Sequence, residues 1–199
     1  GDVYKRQALR LACVGETNYE RALALHSDTR EFFFRVLLTP LGAAIYAKDE
    51  ESAEALLDGG DDPNEVDECG MNALHVAAWR GCRLPLFHRI LGMIHNVNAG
   101  GYDGLTALMY AAWENHLDMV VSLMNHPGID VNVQDRHNST ALHWAVANNR
   151  PAILAQLVSD DRVDTSLKGD YIGTPLKIAI GDGHAECEKI LREHGAPEE

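Results

Sequence analysis

The 199-residue chain lacks a long apolar run. Its most apolar segment, Phe32 to Leu38, is far shorter than the roughly 20 residues that cross a bilayer, so we expect no membrane insertion. A signal peptide is also missing from the N-terminal sequence. Residues 2–7, DVYKRQ, instead resemble translated adapter sequence from a transposon-based library. We therefore interpret residues 1–7 as non-native and expect the native polypeptide to continue upstream.

Positive charge and paired cysteines are scarce as well. Seventeen basic residues stand against thirty acidic ones, a formal charge of −13, and no run of Lys and Arg forms a basic patch. This balance opposes binding to nucleic-acid phosphates or anionic lipid. The four cysteines form no CxxC pair, which favours reduced thiols. We expect an intracellular, cytoplasmic protein.

Catalytic and metal-binding motifs are not evident. The chain has no phosphate-cradling glycine loop, no HExxH and no GxSxG. His184 and Cys187 lie three residues apart, and His194 follows at the far end of the helix. Zinc ligands are usually spaced more closely in the sequence than these three residues are. Cys69, in a turn, has no partner base that the sequence identifies. We expect no catalysis, no cofactor and no metal within these residues.

The positive signal is a repeated eight-residue segment. TPLGAAIY (39–46) returns as NALHVAAW (72–79), TALMYAAW (106–113), TALHWAVA (140–147) and TPLKIAIG (174–181), at spacings of 33, 34, 34 and 34 residues. A fixed period of this length is typical of a stacked repeat array. Each segment begins with a residue that can cap a helix, and small residues follow that let neighbouring helices approach closely. Apolar spacing predicts a second helix in each unit.

Turns join the units at DECG (67–70), GYDG (101–104) and DRHN (135–138). Their last residue suits a positive φ angle, which Asn138 can adopt in place of Gly. The fourth turn would place the β-branched Ile172 there. We therefore expect Gly173 to take that conformation through a shift of register.

These residues resemble the ankyrin repeat, whose unit combines a β-turn, a TPLHxAA helix, a second helix ending in LL, and a loop. The resemblance implies an all-α ankyrin-repeat solenoid with projecting turns and a concave face of turns and first helices. We assign residues 33–199 to five repeats, at about 33–66, 67–100, 101–134, 135–168 and 169–199, and residues 8–32 to a partial repeat. His75 and His143 would bond the backbone of an adjoining turn. Asn98 and Asn132 resemble asparagines hydroxylated in some ankyrin proteins, although a role in bridging the loops is favoured.

Large side chains cluster at variable positions of the first three repeats. The last residue of the segment faces the concave side in ankyrin repeats. At this position, and at the position before the helix cap, the first three repeats carry large apolar residues and the last two carry small ones. With neighbouring turn and charged residues they predict one partner-binding patch, because aromatic residues are enriched at binding hot spots. The predicted contacts are Tyr46, Met71, Trp79, Arg80, Tyr102, Asp103, Leu105, Trp113 and Glu114. The alternative is that the rings pack on one another and only stiffen the stack.

The sequence thus predicts a monomeric, non-catalytic module that binds another protein through its concave surface. Two alternatives stay open. The chain could be a regulatory or substrate-recruiting region of a larger enzyme, or it could itself be an enzyme that uses Cys69, Cys187 or His184. Its composition does not identify the partner.

Overall fold

In a computed structural model, which describes residues 38–170 and 173–197, the chain forms five successive pairs of short helices. The helices are α1 (Pro40–Tyr46), α2 (Glu50–Asp58), α3 (Ala73–Arg80), α4 (Leu84–Met93), α5 (Ala107–Trp113), α6 (Leu117–Met124), α7 (Ala141–Ala147), α8 (Pro151–Val158), α9 (Pro175–Gly181) and α10 (Ala185–Glu193). No strand occurs in these two ranges. The predicted all-α repeat fold is confirmed.

Each first helix begins at the capping residue that the sequence indicates. The Oγ1 atom of Thr39 accepts the backbone N–H of Gly42 at 3.1 Å, and Asn72 Oδ1 accepts that of His75 at 3.2 Å. Such bonds satisfy N–H groups that have no partner inside the helix. The remaining caps are Thr106, Thr140 and Thr174. The start of every first helix is therefore encoded locally.

The turns between repeats are held by an aspartate in two cases. Asp67 Oδ1 accepts the backbone N–H groups of Cys69 and Met71 at 2.8 and 2.9 Å, and Asp135 Oδ1 accepts two equivalent N–H groups at the same distances. Asn138 has a φ of 56°, as predicted. Gly173 has a φ of 75°, as predicted for this glycine. The Gly169 N–H donates to the Gly173 carbonyl at 3.0 Å with the same four-residue spacing as in the other turns, so the predicted shift of register stays a prediction.

Small side chains let adjacent first helices pack closely. Ala77, Ala78, Ala111, Ala112 and Ala145 are all fully buried in the first helices. Adjacent first helices consequently contact one another more extensively than adjacent second helices do. The concave face that the resemblance implies for the first helices stays a prediction. We call the accessible surface of α3, α5 and α7 with the preceding turns the first-helix face.

The helix pairs lie one in each of the five predicted ranges. The residues at which the repeats start and end stay predictions. The partial repeat assigned to residues 8–32, the segment 1–7 and the phenylalanine cluster Phe32–Phe34 lie outside the described residues.

Candidate protein-binding site

The nine predicted contact residues divide by burial. Six of them are partly exposed: Trp79, Arg80, Tyr102, Asp103, Trp113 and Glu114. Tyr46, Met71 and Leu105 are buried, with 7%, 5% and 4% of their surface exposed. A buried side chain offers a partner little to contact. The predicted patch must therefore be corrected before its chemistry is considered.

Two of the buried residues, Met71 and Leu105, directly precede a helix cap. The Met71 side chain packs under the following turn, where its Cγ atom would lie 3.1 Å from a Cβ added to Gly101. The Tyr110 hydroxyl lies 3.8 Å from Met71 Sδ. Leu105, at the equivalent position one repeat later, is buried in the core as well. Met71 and Leu105 thus belong to the contact between repeats, and we remove them from the site.

Tyr46 belongs to a group of aromatic side chains and one arginine that contact one another, which we call the closed cluster. It consists of Tyr46, His75, Trp79, Arg80 and Tyr110. Ring centroids are 5.6 Å apart for Tyr46 and Trp79, 6.3 Å for Trp79 and Tyr110, and 6.2 Å for His75 and Tyr110. The Arg80 guanidinium lies 4.4 Å from the Tyr46 ring centroid. In this part of the face, the rings pack between repeats as the stiffening alternative describes.

Trp113 and Trp144 form a second aromatic group, the tryptophan pair. Their ring centroids are 4.9 Å apart and the rings are nearly parallel, at 15°. Trp144 Nε1–H donates to Asp135 Oδ2 at 2.9 Å, which fixes the second indole to the turn before its helix. Both indoles are partly exposed. The pair is therefore oriented by the fold and still accessible.

Sequence reasoning missed Trp144 as a site residue. Trp144 occupies the fifth position of its segment, whereas the prediction considered the last position, where its repeat carries Ala147. Ring contacts cross between these positions, because Trp113 at the last position of one repeat stacks on Trp144 at the fifth position of the next. The signal was present: Tyr110 and Trp144 are large residues at the same position of consecutive repeats.

Charged groups border the tryptophan pair. Glu114 directly follows Trp113 and is partly exposed. In the neighbouring turns, the Arg136 Nη1 atom lies 3.2 Å from Asp103 Oδ1, and the Arg136 backbone N–H donates to the Asp103 carbonyl at 3.0 Å. Successive turns are thus joined at their tips. Asp103 is committed to Arg136, while Glu114, the residue after Trp113, interacts electrostatically with His116.

The histidines of the repeat segments have structural partners, as predicted. The Nδ1 atom of His75 accepts the Asn72 N–H at 3.1 Å, and its Nε2 atom lies 2.8 Å from the Ala99 carbonyl. Burial lowers the His75 pKa to about 4, which keeps the ring neutral at pH 7. His143 contacts the Gly173 carbonyl at 3.2 Å, and burial lowers its pKa too.

The residues considered for catalysis or metal binding also have bonds within the fold. The Nδ1 atom of His184 lies 2.8 Å from the Val146 carbonyl, and His194 Nδ1 lies at the same distance from the Ile190 carbonyl. Cys187 is buried, and burial raises the pKa of its thiol. Burial raises the pKa of Cys82 to about 12. These thiols are therefore poor nucleophiles at neutral pH.

Loop asparagines connect each repeat to the next. Asn98 Oδ1 accepts the Asp130 N–H at 2.8 Å while its Nδ2 atom donates to the Gly128 carbonyl at 2.8 Å. Asn132 repeats this arrangement with Asp164 and Arg162, at 2.8 and 2.7 Å. The predicted bridging role is confirmed for both.

None of the helices in the described part of the chain is long and apolar enough to span a membrane.

Comparison with known proteins places this architecture in a family. The family model described as Ankyrin repeats (3 copies) matches residues 41–135 and 127–198. The chain is 30% identical over 192 residues to the nuclear factor NF-kappa-B p105 subunit of Gallus gallus, which covers 94% of the chain and 18% of that protein. It is 34% identical over 103 residues to the SMC5-SMC6 complex localization factor protein 1 of Bos taurus, covering 51% of the chain and 10% of that protein.

A third relative, the putative palmitoyltransferase ZDHHC13 of Danio rerio, is 34% identical over 102 residues, which cover 51% of the chain and 15% of that protein. The chain thus spans less than a fifth of the length of each of these relatives. From its repeat pattern, its paired helices and the family match, the chain belongs to the ankyrin repeat family.

Proposed function

We propose that the chain binds another protein through its first-helix face, with the tryptophan pair at the centre of contact and without catalysis. The single observation that supports this most strongly is the exposure of two stacked indoles that the fold has already oriented. A preoriented aromatic group gives a large contact area at a low entropic cost. Arg80, Glu114 and Tyr102 lie at the edge of the proposed contact, and Trp79 contributes its exposed part.

Ankyrin repeats as a family are protein-interaction modules, and the acidic composition argues against nucleic acid as the partner. Cys82 and Cys187 are free thiols, in keeping with a reducing compartment, so a cytoplasmic location stays part of the proposal. The proposal treats the chain as a monomer when no partner is bound.

The test uses two alanines of the same repeat. Ala147 is exposed at the end of α7, one helical turn after Trp144, so its side chain lies on the same side of that helix. Ala155 is exposed on the second helix, α8. We expect Ala147→Arg to prevent the capture of partners from a cell extract that the wild-type chain retains. Ala155→Arg should retain them.

Both substitutions leave the buried core intact, so each variant should fold. Circular dichroism and urea unfolding check this. If Ala147→Arg captures the same partners as Ala155→Arg and the wild-type chain, the first-helix face is not the binding surface. If Ala155→Arg alone loses them, the second-helix side is the interface.

A second candidate function is a recruiting region within a larger enzyme. One relative is named a putative palmitoyltransferase, and the chain covers only 15% of its length. The same first-helix face would then bind a substrate protein. The complete transcript distinguishes the two candidates, because a catalytic domain encoded in the same reading frame would favour the second.

A further inference from the structure

The closed cluster shows how this protein pairs an aromatic ring of a first helix with a cation. Arg80 lies over the Tyr46 ring at 4.4 Å, and its Nε atom donates to the Tyr46 carbonyl at 3.4 Å. A guanidinium is attracted to the negative face of an aromatic ring. The cation comes from the position directly after the repeat segment, and the ring comes from the last position of the preceding segment.

The same two positions differ around the tryptophan pair. The residue after the segment is Glu114 in the third repeat and Asn148 in the fourth. Asn148 Nδ2 donates to the Trp144 carbonyl at 2.9 Å. Within residues 38–170 and 173–197, no Lys or Arg side chain lies over either indole of the pair. Arg150 Nε donates to the Trp113 carbonyl at 3.2 Å, much as Arg80 Nε does to the Tyr46 carbonyl. The position directly after the segment therefore supplies a cation over the Tyr46 ring but none over the Trp113 ring, and Arg150 is held at the Trp113 backbone.

Negative charge also lies close to the tryptophan pair. Asp135 Oδ2 accepts the Trp144 indole N–H at 2.9 Å, which increases the electron density of that ring. Glu114 lies at the end of α5 next to Trp113. The whole chain carries a formal charge of −13, so its long-range field attracts positively charged partners.

From this geometry, and resting on the proposed function, we propose that the tryptophan pair binds a lysine or arginine side chain of a protein partner. The cation would stack on the exposed indole surface, as Arg80 does on Tyr46, and would be attracted by Glu114. The partner segment should therefore be basic. An apolar segment would gain the indole contact area but not the attraction to Glu114.

The probe is a set of four pools of short peptides that differ only in their central residue: arginine, lysine, norleucine or glutamate. Binding to the intact chain is followed by the change in tryptophan fluorescence. We expect the arginine and lysine pools to bind about fivefold more tightly than the norleucine pool, a typical cation–π preference, and the glutamate pool to bind most weakly. Added salt should reduce the preference, since the attraction to Glu114 is screened.

Three variants decide the assignment. Glu114→Gln should reduce the preference for cationic pools, and Trp144→Leu should remove it. Ala155→Arg, on the second-helix side, should leave it unchanged. The inference is contradicted if norleucine peptides bind as tightly as the cationic pools, if the cationic pools show no binding, or if their preference survives Trp144→Leu.

A further comparison separates this inference from the proposed function. Ala147→Arg and Ala147→Glu both add bulk beside the pair but carry opposite charge. Stronger loss of partner capture for Ala147→Arg supports a cationic partner. Equal loss for both supports the first-helix face as the interface and refutes the cation. No loss for either refutes the proposed function itself.

Discussion

The closed cluster and the tryptophan pair follow one another along the first helices and use their rings differently. In the closed cluster Tyr46 and Tyr110 are buried and Arg80 covers a ring. In the tryptophan pair both indoles stack on each other and remain partly exposed. Aromatic residues at equivalent positions of a repeat can thus stabilise the stack in one place and leave a surface for a partner in another. Burial distinguishes Tyr46 and Tyr110 from the tryptophan pair, whereas Trp79, in the closed cluster, is partly exposed like the pair.

The largest expected difference is in stability. Tyr110 and Trp144 share the fifth position of consecutive segments, but Tyr110 is 4% exposed and contacts His75 and Trp79. Tyr110→Ala should lower the free energy of unfolding by about 3–4 kcal/mol, the usual cost of removing a buried aromatic ring. Trp144→Ala should lower it by about half as much, because its ring is partly exposed.

Urea unfolding at neutral pH measures both values. If the two substitutions cost the same, or if Trp144→Ala costs more, the distinction between a closed cluster and an accessible pair is wrong. Trp144 would then be chiefly a packing residue.

A pH dependence should arise in the closed cluster. His75 has a pKa of about 4 in the folded chain against about 6.5 when unfolded, so folding favours its neutral form. The contribution of His75 to the free energy of unfolding is complete above pH 6.5 and is lost as the pH falls toward 4. The expected loss is up to about 3 kcal/mol, at 1.36 kcal/mol per pKa unit.

His75→Met provides the matched control, because Met109 occupies this position in the next repeat. The variant should lose less stability than the wild-type chain when unfolding is compared at pH 7 and near pH 4. The remaining dependence belongs in part to His143, whose pKa is also lowered by burial. Identical pH profiles for both chains would contradict the assignment to His75.

A smaller effect should isolate the bond that orients the tryptophan pair. Asp67 and Asp135 hold equivalent turns through Oδ1, but Asp135 also accepts the Trp144 indole N–H. Asp135→Asn should therefore cost about 1 kcal/mol more than Asp67→Asn, the typical net value of one hydrogen bond. Unfolding of both variants measures the difference. Equal costs would show that the indole is positioned by stacking alone.

Much of this architecture could be predicted from the sequence because its determinants are local. Capping residues such as Thr39 bond to atoms three residues away, and the positive φ of Gly173 follows from the residue types in one turn. The burial of Met71 could not be predicted in this way. It depends on a glycine, Gly101, in the next repeat, which lets the methionine pack beneath that turn.

The candidate site was harder to predict for the same reason. Which side of α7 Trp144 occupies follows from helix geometry, but its stacking on Trp113 depends on how two repeats are placed. Comparing the same position in successive repeats identified Trp113 and Trp79. It overlooked the contact of Trp113 with Trp144, because these residues occupy different positions of their segments. Exposure, which separates Trp113 from Tyr46, is a property of the assembled stack.

The three tryptophans of the chain allow the most direct test of the central claim. Each indole N–H gives one signal in a nitrogen-15 NMR spectrum of the labelled chain, assigned by single substitution to phenylalanine. On titration with a purified protein captured by the wild-type chain, the account predicts that the Trp113 and Trp144 signals shift most and the Trp79 signal shifts least. Binding that shifts only Trp79, or none of the three, would contradict it.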